Sequence, residues 1–146
     1  MTSATGEAFS PKDLDLFGRC LDRLDDMLQR AKNEPEDEAV RDSVIKRFEL
    51  AYELAHRTLT KFLVATAPSA ERITGYDFQD LIRKGDQQRL LRTGWPEWKR
   101  FREARNRTVH TYREEIAIEV AADAREFALE GRVLFNNISQ RMQADA

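Results

Sequence analysis

Apolar residues recur along this chain at alternating spacings of three and four, the period of helices rather than strands. In the first segment Leu14, Phe17, Leu21, Leu24, Leu28 and Ala31 form a narrow seam for packing against other helices. Ser10-Pro11-Lys12-Asp13 predicts its start, with Ser as cap, Pro in the first turn and an early acid, and Pro35 marks its end. A second helix is predicted over about 36–65, with Val40, Val44, Phe48, Tyr52, Ala55, Leu59 and Phe62 as its stripe, widened by Ala51 and Leu63. Ala67-Pro68-Ser69 closes it.

From Thr74 to Gly94 the pattern is shorter and broken. Tyr76, Phe78, Leu81 and Ile82 predict a short helix ended by Gly85, and Leu90 and Leu91 predict another turn or two before Gly94. Pro96 opens a helix with Trp98, Phe101 and Arg105 on one side, a stripe that would run on to Val109 and Tyr112. Thr111 followed by Glu114 reads as a capping box, so a break or bend is expected between the two patterns. The last helix is then predicted from about Tyr112 to Gln140, on Ile116, Val120, Ala124, Phe127, Gly131, Leu134 and Ile138.

Two long helices of about 45 Å each, at a rise of 1.5 Å per residue, predict an all-α fold. It is an up-and-down helical bundle of four main helices plus one or two short ones. No segment sustains a period of two, so no sheet is expected. The 146 residues fit one domain, with flexible ends expected at 1–10 and 143–146. A chain of this length buries enough surface to fold without disulfides or metal. Cys20, the one cysteine, excludes an internal disulfide and reads as a buried, inert thiol. The N-terminus lacks the basic and apolar regions of a signal peptide, and the longest apolar run, from Phe62 to Ala67, is too short to span a bilayer. A cytoplasmic protein with no membrane association is the expectation.

The net charge of −2 conceals an asymmetry. Residues 83–113 carry ten Lys/Arg and three Asp/Glu, a balance of +7, which leaves −9 for the remainder. A basic helix face paired with the acidic first helix of its own or another chain is one explanation, and a phosphate-binding surface is the other. Inside this stretch lies Arg105-Asn106-Arg107-Thr108-Val109-His110-Thr111-Tyr112. Arginine is a permanent cation shaped for phosphate, and histidine exchanges a proton near neutral pH. Together they supply what a metal-free phosphodiester cleavage needs. On one unbroken helix Arg105 and His110 would stand about 140° apart around the axis. Converging them on one phosphate takes a bend, or a second copy of the motif from another subunit. The competing reading pairs Arg105 with a buried carboxylate and makes Asn106 a helix cap. His56 and His110 are the only histidines and no carboxylate cluster has ligand spacing, so no metal site is expected. Gly75, Gly85 and Gly94 are isolated, so no phosphate loop for a nucleotide cofactor is expected. His56 reads as a packing or surface residue.

Arg105-Asn106-x-x-x-His110-x-Tyr112 resembles the Arg-x-x-x-x-His-x-Tyr signature of HepT-like proteins in the HEPN superfamily, also called nucleotidyltransferase substrate-binding proteins. The run Arg47-Phe48-Glu49-Leu50-Ala51-Tyr52-Glu53-Leu54-Ala55 is similar to a second hallmark of that group, and Asp77 to Ile82 and Trp98 lie between the two. The resemblance spans roughly residues 14–134 and departs at His56, where relatives often carry tryptophan. It implies a helical-bundle homodimer whose motifs line a cleft, and a minimal nucleotidyltransferase as partner and antitoxin. It implies a metal-independent RNase toxin without a cofactor. Arg105 would hold the phosphate, His110 would act as general acid or base for attack by a ribose 2′-hydroxyl, and Asn106 would orient the phosphate. Tyr112 would receive AMP from the partner, and Arg102, Arg107 and Arg113 would bind RNA. The alternative is a non-catalytic substrate-binding or scaffold subunit of a two-component nucleotidyltransferase.

Overall fold

Three long helices make the frame, and a shorter fourth carries the motif onto it. The computed structural model describes residues 8–144. Helix α1 (Pro11–Asn33) starts where Ser10 predicts: the Ser10 amide donates to the Asp13 carboxylate at 2.8 Å. Helix α2 (Glu38–Thr66) starts at Asp37, whose carboxylate accepts from the amides of Ala39 (2.9 Å) and Val40 (3.2 Å). The connection between them is short, so they pack as antiparallel neighbours, and α6 (Glu114–Ala144) completes the frame by contacting both. Between α2 and α6 run α3 (Ala70–Thr74), α4 (Phe78–Gln87) and α5 (Trp95–Asn106). No strand occurs among the described residues.

The predicted stripes are the buried faces. Phe17, Leu21 and Leu24 of α1, Phe48, Ala55 and Leu59 of α2, and Phe127, Leu134 and Ile138 of α6 are almost wholly inaccessible. Burying a side chain of this size contributes about 1.5–3 kcal/mol. Cys20 is partly buried against this core.

The middle of the chain departs from the prediction. Gly85 does not end a helix; it lies inside α4, where a Cβ would sit 3.4 Å from both Leu59 and Leu91. It allows close packing. Leu90 and Leu91 are buried but not helical, because Arg89 takes a left-handed φ of 61° that ends the helical run. The segment is pinned to α6 instead. Asn137 donates to the Leu90 carbonyl (2.9 Å), Arg141 donates to that of Gln88, and Arg92 reaches the buried Glu130 carboxylate (3.2 Å). The short helix α3 has no counterpart in the predicted pattern.

Of the ends expected to be flexible, residues 1–7 and 145–146 lie outside the described residues. Residues 8–10 and 143–144 are among the described ones. Phe9 packs edge-on against Phe62, with centroids 5.5 Å apart, and α6 runs through to Ala144. No helix among the described residues is long and apolar enough to cross a membrane.

Candidate functional site

Phe127 of α6 fastens the motif-bearing helix to the frame. Its ring lies 5.4 Å from Phe48 of α2 and 5.9 and 5.6 Å from Trp98 and Phe101 of α5. Edge-to-face contacts of this kind add about 0.5–1.5 kcal/mol each beyond area burial. With Trp98 and Phe101 locked, Arg105 on the same flank of α5 is brought against α2.

The expected break is present, with a different local chemistry. α5 stops at Asn106, residues Arg107–His110 form a 3-10 turn, and α6 begins at Glu114 rather than Tyr112. Thr111 does not cap α6. Its hydroxyl donates back to the Thr108 carbonyl (2.9 Å), and the Arg113 carbonyl accepts from Ile116 and Ala117 to start the helix. Thr108 does the same one turn earlier, 2.8 Å from the Arg105 carbonyl. Hydroxyls that bond back three residues compete with the helical ladder. The apolar stripe of α5 therefore ends before Val109 and Tyr112, whose surfaces are 68% and 80% exposed.

Arg105 faces two carboxylates of α2. Its guanidinium lies 3.5 Å from Glu49 and hydrogen-bonds Glu53. The arginine side chain is 28% exposed, Glu49 21% and Glu53 53%. Glu49 also accepts from Lys46 Nζ at 3.0 Å and lies 3.1 Å from the Thr108 hydroxyl, whose single proton serves Glu49 or the Arg105 carbonyl at any moment. Burial pushes the Glu49 carboxyl up. The hydrogen bonds of Lys46 and Thr108 and the charges of Lys46 and Arg105 outweigh it and hold the group below its ordinary value. The hydrogen bond to Glu53, with the charges of both glutamates, holds Arg105 above the ordinary arginine value against the opposing effect of burial. Two cations, Arg105 and Lys46, thus meet two anions, and the cluster is neutral.

The competing reading of Arg105 is met in part: it pairs, but with carboxylates that keep contact with water. Asn106 makes no side-chain cap and is exposed. His110 is exposed at the end of the 3-10 turn, its ring 6.1 Å from that of Tyr112. Arg105 and His110 do not touch each other; among the described residues Arg105 engages α2 and His110 faces Tyr112. Arg107 pairs with Glu119 of α6, and Arg113 with Glu115 at 3.2 Å. Arg102 has no carboxylate partner among the described residues, and its guanidinium sits 5.7 Å from the centre of the Phe78 ring. Much of the basic stretch is therefore neutralised, and its acids come from α2 and α6, not from the acidic first helix. Arg100 pairs with Asp123 (3.2 Å) and Glu126, while α1 spends Asp22 and Asp25 on Arg132 of α6 and Asp13 on Lys61.

Glu49, Glu53 and Thr108 were not singled out from the sequence. A signal existed: Glu49 and Glu53 stand at i and i+4, one face of a helix, inside the second of the two motifs. No group of three or more His, Cys, Asp or Glu side chains among the described residues is placed to hold a metal ion.

A family model described as nucleotidyltransferase substrate binding protein like matches residues 12–143. A relative from Haemophilus influenzae named "Probable ribonuclease HepT" is 33% identical over 101 residues, covering 69% of this chain and 68% of the relative. A solved Haemophilus influenzae structure, described as revealing the fold of a substrate binding domain of a nucleotidyltransferase, superposes with a TM-score of 0.80. It shares 23% sequence identity and covers 86% of this chain and 98% of that one, a likeness of fold.

Proposed function

The chain belongs to the nucleotidyltransferase substrate binding protein like family, HepT-like in kind, and on that premise we propose that it is a metal-independent endoribonuclease. It acts as a homodimer and is held in check by a minimal nucleotidyltransferase. The observation that carries this reading is the break at Asn106. It leaves His110 exposed in a 3-10 turn directly after the partly open Arg105.

The chemistry follows from those two side chains. RNA brings its own nucleophile. His110 takes the proton from a ribose 2′-hydroxyl as that oxygen bonds phosphorus, or returns a proton to the departing 5′-oxygen. Arg105 donates to the phosphate oxygens as charge builds on them. The P–O5′ bond breaks, leaving a 2′,3′-cyclic phosphate and a 5′-hydroxyl, and DNA is not cut. In a two-fold dimer the two motifs supply two Arg/His sets to one groove. Asn106 orients the phosphate, and Arg107 and Arg113 add backbone contacts once their carboxylate partners swing aside. Tyr112, 80% exposed, is the acceptor for AMP from the partner. The added bulk and negative charge shut the groove.

Purified protein in EDTA should cleave single-stranded RNA with cyclic phosphate ends. His110→Ala should abolish cleavage with its helical circular dichroism intact; cleavage that survives in this variant refutes the assignment. After co-expression with a neighbouring nucleotidyltransferase, mass spectrometry should find AMP on Tyr112 and none on the Tyr112→Phe protein. One observation favours a second reading, a non-catalytic subunit that presents substrate to the nucleotidyltransferase. Within one protomer the two terminal nitrogens of Arg105 are already paired with Glu49 and Glu53. In that case wild-type protein leaves RNA intact while still binding its partner.

A further inference from the structure

Helix α2 meets α5 and the 3-10 turn after it in antiparallel rungs: Glu49 with Thr108 of the turn, Glu53 with Arg105 of α5, and then, one turn on, His56 beside Arg102 of α5. That last rung differs in kind from the others. It has no carboxylate among its contacts, and it is built on aromatic rings. Phe78 of α4 lies at its centre, 4.9 Å from the His56 ring, 5.8 Å from Trp95 and 5.7 Å from the Arg102 guanidinium. Phe78 and Trp95 are half-buried and rooted in the core, whereas His56 and Arg102 are exposed. The His56 ring meets Phe78 edge-on and the Arg102 guanidinium lies over the same ring, which leaves two planar groups at the surface.

We infer that His56 and Arg102, supported by Phe78 and Trp95, form a seat for one unpaired nucleobase of the RNA next to the phosphate held at Arg105. Three features fit this ligand. A guanidinium plane and an imidazole both stack on bases, and unpaired bases are what such surfaces take from single-stranded RNA. Arg102 is the cation of the basic stretch that stands beside Arg105 without a carboxylate, so a polyanion meets an uncompensated positive charge here and not the neutralised cluster around Arg105. The distance also suits one nucleotide: Arg102 lies three residues from Arg105 on one helix, a rise of about 4.5 Å. Partial burial of the ring, and then the Arg102 charge, hold the His56 imidazole below its ordinary value. A neutral ring at working pH stacks without adding a charge of its own.

The seat rests on the ribonuclease reading, and its test separates the two. A short single-stranded RNA with every 2′-hydroxyl methylated has no free nucleophile and serves as an uncleavable probe, and a series of such strands carries one abasic site moved stepwise. Wild-type protein should lose about ten-fold in affinity at one abasic position, as expected for a single base–side-chain stack. His56→Ala and Arg102→Lys should each lose most of that penalty, and His56→Ala should keep the wild-type dependence on salt. Arg102→Lys preserves the charge and removes the plane, so wild-type affinity and an intact abasic penalty in this variant would overturn the seat. A flat abasic scan in wild-type protein that binds and cuts RNA would overturn it too, and leave the patch to protein contact. Intact helical circular dichroism guards against unfolding. Protein that neither binds nor cuts RNA defeats the ribonuclease reading itself.

Discussion

Replacing Glu53 by Gln should make the protein bind RNA more tightly, although it removes an ion pair. Arg105 meets Glu49 and Glu53 together, and with Lys46 on Glu49 its surroundings carry a charge of −1 before any phosphate arrives. Gln keeps an acceptor for the guanidinium and removes one of the two negative charges. A phosphate sharing Arg105 would lie on the order of 5 Å from the Glu53 carboxylate. Two unit charges at that distance repel by about 0.8 kcal/mol at the permittivity of water and about 3 kcal/mol at an effective value of 20. Glu53 is 53% exposed, which places the effect near the lower bound. About 1 kcal/mol corresponds to about five-fold tighter binding. The assay is fluorescence anisotropy with an uncleavable single strand in EDTA at low salt. Screening at physiological ionic strength, with a Debye length of about 8 Å, should shrink the gain. Unchanged or weaker binding by Glu53→Gln at low salt would show that Arg105 is not where phosphate sits.

Glu49→Gln should act in the opposite direction. Glu49 gathers Lys46, Arg105 and the Thr108 hydroxyl, so its loss should cost about 1–2 kcal/mol of stability and lower RNA cleavage, read by a thermal melt and the same RNA. Phe127→Ala removes the ring that joins α2, α5 and α6 and should cost about 3–5 kcal/mol, lowering the melting temperature by on the order of 10 °C. His56 gives a pH test. Its folded value lies below the ordinary 6.5, so its contribution to stability is complete above 6.5 and is lost as pH falls through the folded value. Denaturant unfolding at stepped pH should show wild-type stability falling below pH 6.5, and His56→Gln should fall less over the same interval.

The long helices were legible because each has to bury one face against the same core, and a period near 3.6 states that burial directly. Leu14 to Ala31, Val40 to Phe62 and Ile116 to Ile138 needed no partner to be recognised. The segment around Leu90 was not legible. Its apolar pair suggested a helix, but what holds it is Asn137, Arg141 and Glu130 of α6, 38 to 53 residues further along the chain. Gly85 was misread for the same reason: its role is set by Leu59 and Leu91, which the local sequence does not show. At the motif the need for a break was legible from the angle between Arg105 and His110. Its means were not, because Thr111 carries the signature of a cap and uses its hydroxyl on Thr108. The partners of Arg105 lay in plain view at i and i+4 of α2, yet only the antiparallel packing of α2 on α5 makes Glu49 and Glu53 neighbours of that arginine.

That packing sets two requirements against each other. Arg105, flanking the buried Trp98 and Phe101, needs anionic partners in the free protein, since a guanidinium against apolar surface without them is costly. A phosphate clamp needs the same guanidinium unencumbered. The two glutamates divide the task. Glu49, the more buried, is tied by Lys46 and Thr108 and holds the arginine in place. Glu53 is half exposed, and among the described residues its one bonded partner is Arg105. An exposed ion pair of this kind holds by no more than about 1 kcal/mol, so a phosphate able to bond the guanidinium through two oxygens can displace it. On the ribonuclease reading, Glu53 would stay paired with Arg105 until RNA arrives and yield when it does. Arg102, bare of carboxylates one turn away, supplies the attraction that the neutralised Arg105 lacks at a distance. A scaffold would need Glu53 and Glu49 alike as fixed partners, so opposite responses to their replacement separate a working phosphate site from a structural ion pair.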